Sequence, residues 1–168
     1  MAHMVTSIKD LVINPFTLIG EDWMLITAGD INSFNMMTAS WGGLGVLWRK
    51  DVAFCFIRPT RYTYNFINRG DFFTLSFFSE EYREALNICG SYSGREVDKV
   101  KLTGLTPIED RDHNTVFFDE ARLVFICKKI YYQDINPENF IDKGIGEHYP
   151  LKDYHRMFIG EILKALVR

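Results

Sequence analysis

The chain is poor in cysteine and histidine, carries little net charge and contains no long apolar run. Its 168 residues include three cysteines and four histidines, and its formal net charge is −3. A weakly acidic chain without a lysine- or arginine-dense segment is not expected to bind nucleic acid. No apolar stretch approaches the length of a membrane span, and the first residues lack the layout of a signal peptide. We therefore expect a cytoplasmic protein with neither a nucleic-acid nor a membrane partner.

The few cysteines and histidines lack the spacing of a metal site. Cys55, Cys89 and Cys127 are far apart and lie in apolar sequence, which predicts buried, reduced thiols rather than disulfides or zinc ligands. Cys89 precedes a Gly-Ser pair, so it is either a packing residue or a neighbour of a ligand-binding turn. The last two histidines are separated by Pro150, which argues against a shared helical face. We expect no metal.

Apolar and aromatic residues are abundant. The chain is 47% hydrophobic and 15% aromatic, which is enough for one well-buried core, and no linker divides it. We expect a single domain over residues 1–168. The first three residues are typical of a cloning remnant ahead of a natural start at Met4.

Alternating polarity predicts a strand over residues 34–41. One face of this strand carries Met36, Thr38 and Ser40, and the other carries Asn35, Met37, Ala39 and Trp41. The Gly42-Gly43 pair predicts a tight turn, followed by a returning strand over 44–48 that forms a hairpin with the first. A polar turn over 49–51 and a third strand over 52–57 follow.

The other segments complete a mainly β fold with short covering helices. Further strands are predicted over 13–18, 24–27, 72–78, 115–118, 123–132 and 157–166. Residues 157–166 also satisfy helical spacing, so that segment stays ambiguous. An amphipathic helix is predicted over 79–89, and Asn136-Pro137 opens a turn or short helix.

The turn after Pro59 has the composition of an anion site. Thr60 is predicted to cap a short helix that ends at Gly70. Free N–H groups at a helix start favour an anion, and Arg61 and Thr63 add a guanidinium and a hydroxyl there. The turn is therefore either a phosphate site or an ordinary cap beside a solvated arginine.

A second turn has a similar composition. Residues 93–96 fit the capping-box pattern, so a helix is predicted to begin near Ser93 with Arg95 at its start. Lys99 lies one turn further along. It either approaches the same anion or forms a surface ion pair with a carboxylate such as Glu96.

Four separated motifs carry a family resemblance. They are NMMTASWGG, RPTRYT, CGSYSGREVDKVKLTGL and DYHRMFIGEI, in this order. Together they resemble the flavin reductase-like family, which includes the flavoredoxins, over residues 14–162. The resemblance implies a split β-barrel that binds FMN non-covalently and forms a homodimer with its cofactor sites near the subunit boundary.

The resemblance also implies the cofactor-binding residues. Along the isoalloxazine ring it places Asn35, Met36, Met37, Thr38, Ala39, Ser40 and Trp41. Near the ribityl chain and the phosphate it places Arg58, Thr60, Arg61, Tyr62 and Thr63, and at a second phosphate turn Ser93, Arg95 and Lys99. Trp41 and Tyr62 are alternatively packing residues. His155, within the fourth motif, is either a site residue or the polar start of the last strand.

The activity implied by the family is hydride transfer from NAD(P)H to flavin and onward to free flavin, iron or a redox partner protein. A non-enzymatic electron carrier shares the fold and is the alternative, and a barrel that has lost its ligand is a third possibility. Residues 43–48 lack the third glycine of a dinucleotide-binding loop, so a separate Rossmann site for the nicotinamide is not supported. No catalytic acid or base is identified.

Overall fold

The structure is a computed structural model that describes residues 2–168; Met1, the first residue of the expected cloning remnant, lies outside the described residues. The strands are β1 Met4–Thr6, β2 Met24–Asp30, β3 Ser33–Ala39, β4 Gly42–Leu47, β5 Lys50–Ile57, β6 Phe72–Phe77, β7 Pro107–Asp110, β8 Thr115–Phe118, β9 Leu123–Asp134 and β10 Arg156–Val167. The helices are α1 Pro15–Gly20, α2 Tyr62–Arg69, α3 Arg83–Ser91 and α4 Lys99–Thr103. Short 3₁₀ turns span Ile8–Asp10, Glu80–Tyr82, Pro137–Asn139 and Lys143–His148.

Eight strands form one antiparallel sheet in the order β3-β2-β6-β9-β10-β5-β4, with β1 added beside β10. Strands near both ends of this order contribute to one inner core, for example Met37 of β3 and Ala53 of β5. The sheet therefore curves around that core, and α1 and α2 pack against it.

A second apolar cluster covers the outer face of β2 and β9. Leu25, Val124 and Ile126 point outward from the sheet and pack against Leu86 of α3 and Phe118 of β8. These strands are thus buried on both faces, which explains their nearly continuous apolar sequence.

Most predicted strands are confirmed, but the strand predicted over residues 13–18 is wrong, because residues 15–18 begin α1. Asn14 caps this helix by accepting a hydrogen bond from the N–H of Phe16 at 3.0 Å, and Pro15 occupies the first helical position. This local cap outweighs the β-forming composition of the segment. The predicted helix over 79–89 is present as a 3₁₀ turn followed by α3.

The predicted β3–β4 hairpin is wrong. β3 pairs with β2, while β4 pairs with β5, so the two segments lie at opposite ends of the strand order. The Gly42-Gly43 pair lies inside β4, and a Cβ at Gly42 would lie 2.8 Å from both Met24 Cε and the Phe54 carbonyl oxygen. That glycine permits a close approach rather than a turn.

The real hairpin turn is formed by Trp48 and Arg49, not by residues 49–51. Leu47 pairs with Lys50, and the two residues between them have φ values of 52° and 60°. Two positive φ values are the geometry of a type I′ turn, which usually contains Asn or Gly.

The ambiguous last segment is strand β10. It pairs with β5 on one side and β9 on the other, so its backbone hydrogen bonds are satisfied by two neighbours rather than by a helix.

Within residues 2–168, none of the helices is both long and apolar enough to cross a membrane.

Candidate functional site

The two predicted anion turns converge on one cavity. This phosphate cavity, of about 180 Å³, is lined by Asn35 of β3, residues 60–63 around the start of α2, residues 90–94 at the end of α3, and Lys99 of α4. Thr63 and Ser93, which belong to different turns, therefore share a single cavity.

The first turn differs in detail from the prediction. Helix α2 begins at Tyr62 and is capped by the extended residue Arg61, without a side-chain cap. Thr60 is not the cap, because a turn bonded from the Arg61 N–H to the Arg58 carbonyl (3.0 Å) precedes the helix. The first N–H groups of α2 therefore lack a side-chain acceptor at the edge of the cavity. Gly70 ends the helix as predicted.

The second turn does not form the predicted helix. Ser93 Oγ accepts a hydrogen bond from the Arg95 N–H at 3.2 Å, and the Ser93 carbonyl accepts from the N–H groups of Glu96 and Val97. The helical segment starts only at Lys99, where Asp98 caps it. Asp98 thus takes the helix start, and residues 93–97 remain a turn.

Lys99 is buried, with 4% of its surface exposed. Its Nζ donates to the carbonyl oxygens of Met36 at 2.8 Å and Cys89 at 2.9 Å. The surface ion pair is therefore excluded. Burial lowers the pKa of the Lys99 ammonium to about 8, and the neighbouring charge of Arg61 lowers it as well.

Arg61 is the second cation of the cavity. Its guanidinium donates to the Cys89 carbonyl at 3.4 Å, and burial lowers its pKa. None of the described lining residues is an aspartate or glutamate. Two cations and several hydroxyls without a counter-charge make a site that fits an anion such as a phosphate.

Cys89 contributes its backbone rather than its thiol. Its carbonyl accepts from both cations, while its side chain is buried. Burial raises the pKa of the Cys89 thiol to about 11. The prediction of buried thiols is confirmed for all three cysteines, which are free and buried.

A second cavity, here called the ring cavity, adjoins the phosphate cavity. It also measures about 180 Å³ and is lined by Met37, Thr38, Ala39, Ser40, Trp41, Phe56, Arg58, Arg61 and His155. Arg61 lines both cavities and so marks their junction. β3 is the end strand of the sheet and pairs only with β2, so its outer backbone edge has no strand partner. The Met36 carbonyl of β3 is bonded to Lys99 Nζ.

Some of the predicted residues lie away from both cavities. The Met36 side chain packs into the outer cluster, and only its carbonyl reaches Lys99. Arg95 donates to the Thr60 carbonyl at 3.2 Å and lies over the Tyr62 ring, with 4.8 Å from Cζ to the centroid. Both residues support the site rather than line it.

Arg58 lies on the ring cavity, not the phosphate cavity. It forms an ion pair with Asp153 at 2.8 Å, donates to the His148 carbonyl at 2.7 Å and lies over the Tyr149 ring. These partners follow β9 in the chain, and no local pattern around Arg58 could have indicated them.

The predicted set lacks five lining residues. Four of them lie in the third motif around Ser93, namely Gly90, Ser91, Tyr92 and Gly94, whereas Phe56 reads as an ordinary strand residue without any functional signal. Of the two alternatives for His155, the structure favours the site residue, because His155 lines the ring cavity with 8% of its surface exposed. Burial, together with Arg58, lowers the pKa of its imidazole to about 4.

The curved antiparallel sheet with two adjoining cavities defines a β-barrel with a candidate ligand site. Comparison with known families then gives a specific match: the flavin reductase like domain model matches residues 18–168. The chain belongs to the flavin reductase-like family, and that membership supports a flavin-related redox function.

Solved structures agree on the fold. The flavoredoxin of Desulfovibrio vulgaris (Miyazaki F) is 25% identical, with a TM-score of 0.69, and the match covers 98% of this chain and 77% of the flavoredoxin. An FMN-binding domain of a flavin reductases-like enzyme from Shewanella baltica is 17% identical, with a TM-score of 0.70, and the match covers 99% of this chain and 77% of the Shewanella chain. An NADH:FAD oxidoreductase of Streptomyces globisporus is 13% identical, with a TM-score of 0.67, and the match covers 88% of this chain and 74% of the Streptomyces chain. No curated protein matches the chain. The predicted split β-barrel is confirmed.

Proposed function

We propose that the chain binds FMN non-covalently across the two cavities, with the phosphate in the phosphate cavity and the isoalloxazine in the ring cavity. The observation that carries this proposal is that Arg61 lines both cavities. A ligand with an anionic tail and a planar head joined by a short chain matches that arrangement. The solved Shewanella baltica relative is described as FMN-binding.

The donors of the phosphate cavity suit a phosphate monoester. Arg61 offers a planar fork, Lys99 offers a point charge, and Thr63 and Ser93 offer hydroxyls. The uncapped N–H groups at the start of α2 add further donors and the positive end of the helix dipole. Riboflavin, which lacks the phosphate, would lose all of these contacts.

The ring cavity suits a planar heteroaromatic group. The outer edge of β3 offers backbone donors and acceptors alongside Thr38 and Ser40, while Phe56 and Trp41 provide apolar surface. Arg58 adds a cation held by Asp153. These residues orient the ring and exclude water from one of its faces.

The activity we propose is that of an oxidoreductase that takes hydride from NAD(P)H and passes electrons to free flavin, iron or a partner protein. The flavin, when bound, supplies the redox chemistry, and the protein supplies position and electrostatics. A non-enzymatic electron carrier is the second candidate, favoured by the likeness to a flavoredoxin.

An anaerobic titration separates the candidates. The FMN-loaded protein is mixed with NADH or NADPH, and the visible absorbance of the oxidised flavin is followed over time. Prompt bleaching supports the reductase. A bound flavin that bleaches only with dithionite supports the carrier. A protein that is colourless after mixing with FMN and removal of the unbound flavin contradicts the proposal.

We also propose a homodimer. Aromatic side chains are exposed near the β4–β5 turn, where Trp48 is 55% exposed and contacts Tyr131, which is 40% exposed. Exposed aromatic residues of this kind are enriched at interfaces. Light scattering coupled to size-exclusion chromatography should give twice the chain mass, and a monomer would contradict the proposal.

A further inference from the structure

The connection between β9 and β10 places four polar residues at or beside the ring cavity. Within residues 135–155, His148 and Asp153 bind Arg58, and Tyr149 and His155 bind each other. His155 is the member of this group that lines the cavity directly.

The two ring nitrogens of His155 have different surroundings. Nδ1 lies 2.7 Å from the Tyr149 hydroxyl. Nε2 has no hydrogen-bond partner among residues 2–168. The side-chain polar atoms that are closed off from solvent and have no partner are the hydroxyls of Thr27, Ser76 and Thr115, and Nε2 is not one of them. Nε2 is therefore accessible, and the ring cavity is the opening that His155 lines.

Tyr149 is held firmly on three sides. The Arg58 guanidinium lies over its ring at 4.7 Å, Phe140 stacks on it with an interplanar angle of 14°, and the Tyr154 ring lies 4.9 Å away. Only 6% of its surface is exposed, and its hydroxyl has His155 as its partner. The hydroxyl thus has a fixed position against one nitrogen.

The protonation pattern follows from these contacts. A neutral imidazole has one donor nitrogen and one acceptor nitrogen. A guanidinium over the Tyr149 ring favours donation by the phenol, and Arg58 also disfavours a second positive charge on His155. The Asp153 carboxylate would favour a positive charge on His155, but Asp153 already forms an ion pair with Arg58. When Tyr149 donates to Nδ1, the proton of His155 lies on Nε2.

We propose that Tyr149 is a positioning residue that holds His155 as the neutral Nε2–H tautomer, so that Nε2–H donates a hydrogen bond to a carbonyl oxygen or ring nitrogen of a planar ligand in the ring cavity. The identity of that ligand rests on the proposed function, whereas the tautomer does not.

The tautomer is measured on the ligand-free protein by long-range ¹H–¹⁵N NMR of labelled histidine. We expect wild-type His155 to show a protonated Nε2 and an unprotonated Nδ1 at pH 7. In Tyr149→Phe this single tautomer should become a mixture. Tyr154→Phe is the matched control, because it removes a hydroxyl from the neighbouring ring and leaves the Tyr149 hydroxyl in place. A wild-type Nδ1–H tautomer, or an unchanged spectrum in Tyr149→Phe, would overturn the proposal.

Ligand binding tests the donor role separately. Riboflavin probes the ring cavity and inorganic phosphate probes the phosphate cavity. Tyr149→Phe should weaken riboflavin binding about 5- to 10-fold and leave phosphate binding unchanged. Equal riboflavin affinity of the variant and the wild type would overturn the donor role. If wild-type protein binds neither riboflavin nor FMN, the proposed function fails, while the ligand-free spectra still decide the role of Tyr149.

Discussion

Asn35 of β3 and Thr63 of α2 are joined by a buried hydrogen bond of 2.8 Å from Nδ2 to Oγ1. Both residues line the phosphate cavity. The bond ties the end strand of the sheet to the helix whose start faces the cavity. Because the Thr63 oxygen accepts from Asn35, its own proton remains free to be donated to an anion.

Replacing Thr63 by valine should therefore lower both stability and affinity for FMN. The buried Asn35 amide would lose its best acceptor, which costs about 1–3 kcal/mol in the free energy of unfolding. Urea denaturation measures this loss. The matched control is Thr27→Val, because the Thr27 hydroxyl is buried without a partner and its removal should be neutral or stabilising. Equal effects of the two substitutions would contradict the assignment.

Removing the Arg61 side chain should weaken FMN binding without affecting the fold. Loss of one charged phosphate contact costs about 1.5–3 kcal/mol, which is roughly a 10- to 150-fold rise in Kd. Fluorescence titration of FMN with Arg61→Ala gives the value. Arg69→Ala is a suitable control, since Arg69 lies at the other end of α2 and binds the Asn65 carbonyl. An unchanged Kd for Arg61→Ala would show that Arg61 does not contact the phosphate of FMN.

A methyl group at Gly94 should disrupt the phosphate cavity. A Cβ there would overlap the Asn35 side-chain amide and lie 3.1 Å from Tyr62 Cδ1. We expect Gly94→Ala to displace Asn35 and to weaken FMN binding at least about tenfold, the equivalent of one lost hydrogen bond to a charged group. Gly45→Ala serves as the control, because a Cβ at that position meets nothing within 4 Å. Wild-type affinity in Gly94→Ala would show that Asn35 can move without loss.

The affinity for FMN should fall as the pH rises through about 8. Burial lowers the pKa of Lys99 to about 8 in the ligand-free protein, so the cation is present below that pH and lost above it. A bound phosphate dianion would raise this pKa again, which means that binding takes up a proton on the alkaline side. Kd measured from pH 6.5 to 9.5 (roughly the range around that pKa) should rise in the wild type. Lys99→Met should bind more weakly and show a flatter profile; an equally steep profile would assign the dependence to another group.

The β4–β5 turn should gain stability from glycine at position 49. Arg49 has a φ of 60°, which disfavours a residue with a Cβ. We expect Arg49→Gly to raise the free energy of unfolding by about 0.5–1 kcal/mol, since the relief of strain exceeds the added entropy of the unfolded chain. Arg49→Ala removes the same side chain but keeps the Cβ, so it should give no comparable gain. Thermal denaturation of the two variants tests the difference.

The local pattern predicted element types well where a segment had one clear periodicity. The alternation of residues 34–41 identified β3, and it placed Met36 and Met37 on opposite faces, as observed. It failed at Gly42-Gly43, because a glycine pair can equally serve a turn or a close approach between strands. It also failed at residues 93–96, because two nearby capping residues competed for one helix start.

Strand periodicity and residue composition indicated the β-rich barrel elements and the two polar turns that carry Arg61, Thr63 and Ser93, because both are local properties. Long-range packing left β3 at the end of the sheet, buried Lys99 against two carbonyls and brought Tyr149 into contact with His155. Strand pairing and burial depend on contacts between residues distant in the chain, and no short-range pattern records which distant partner a segment will meet.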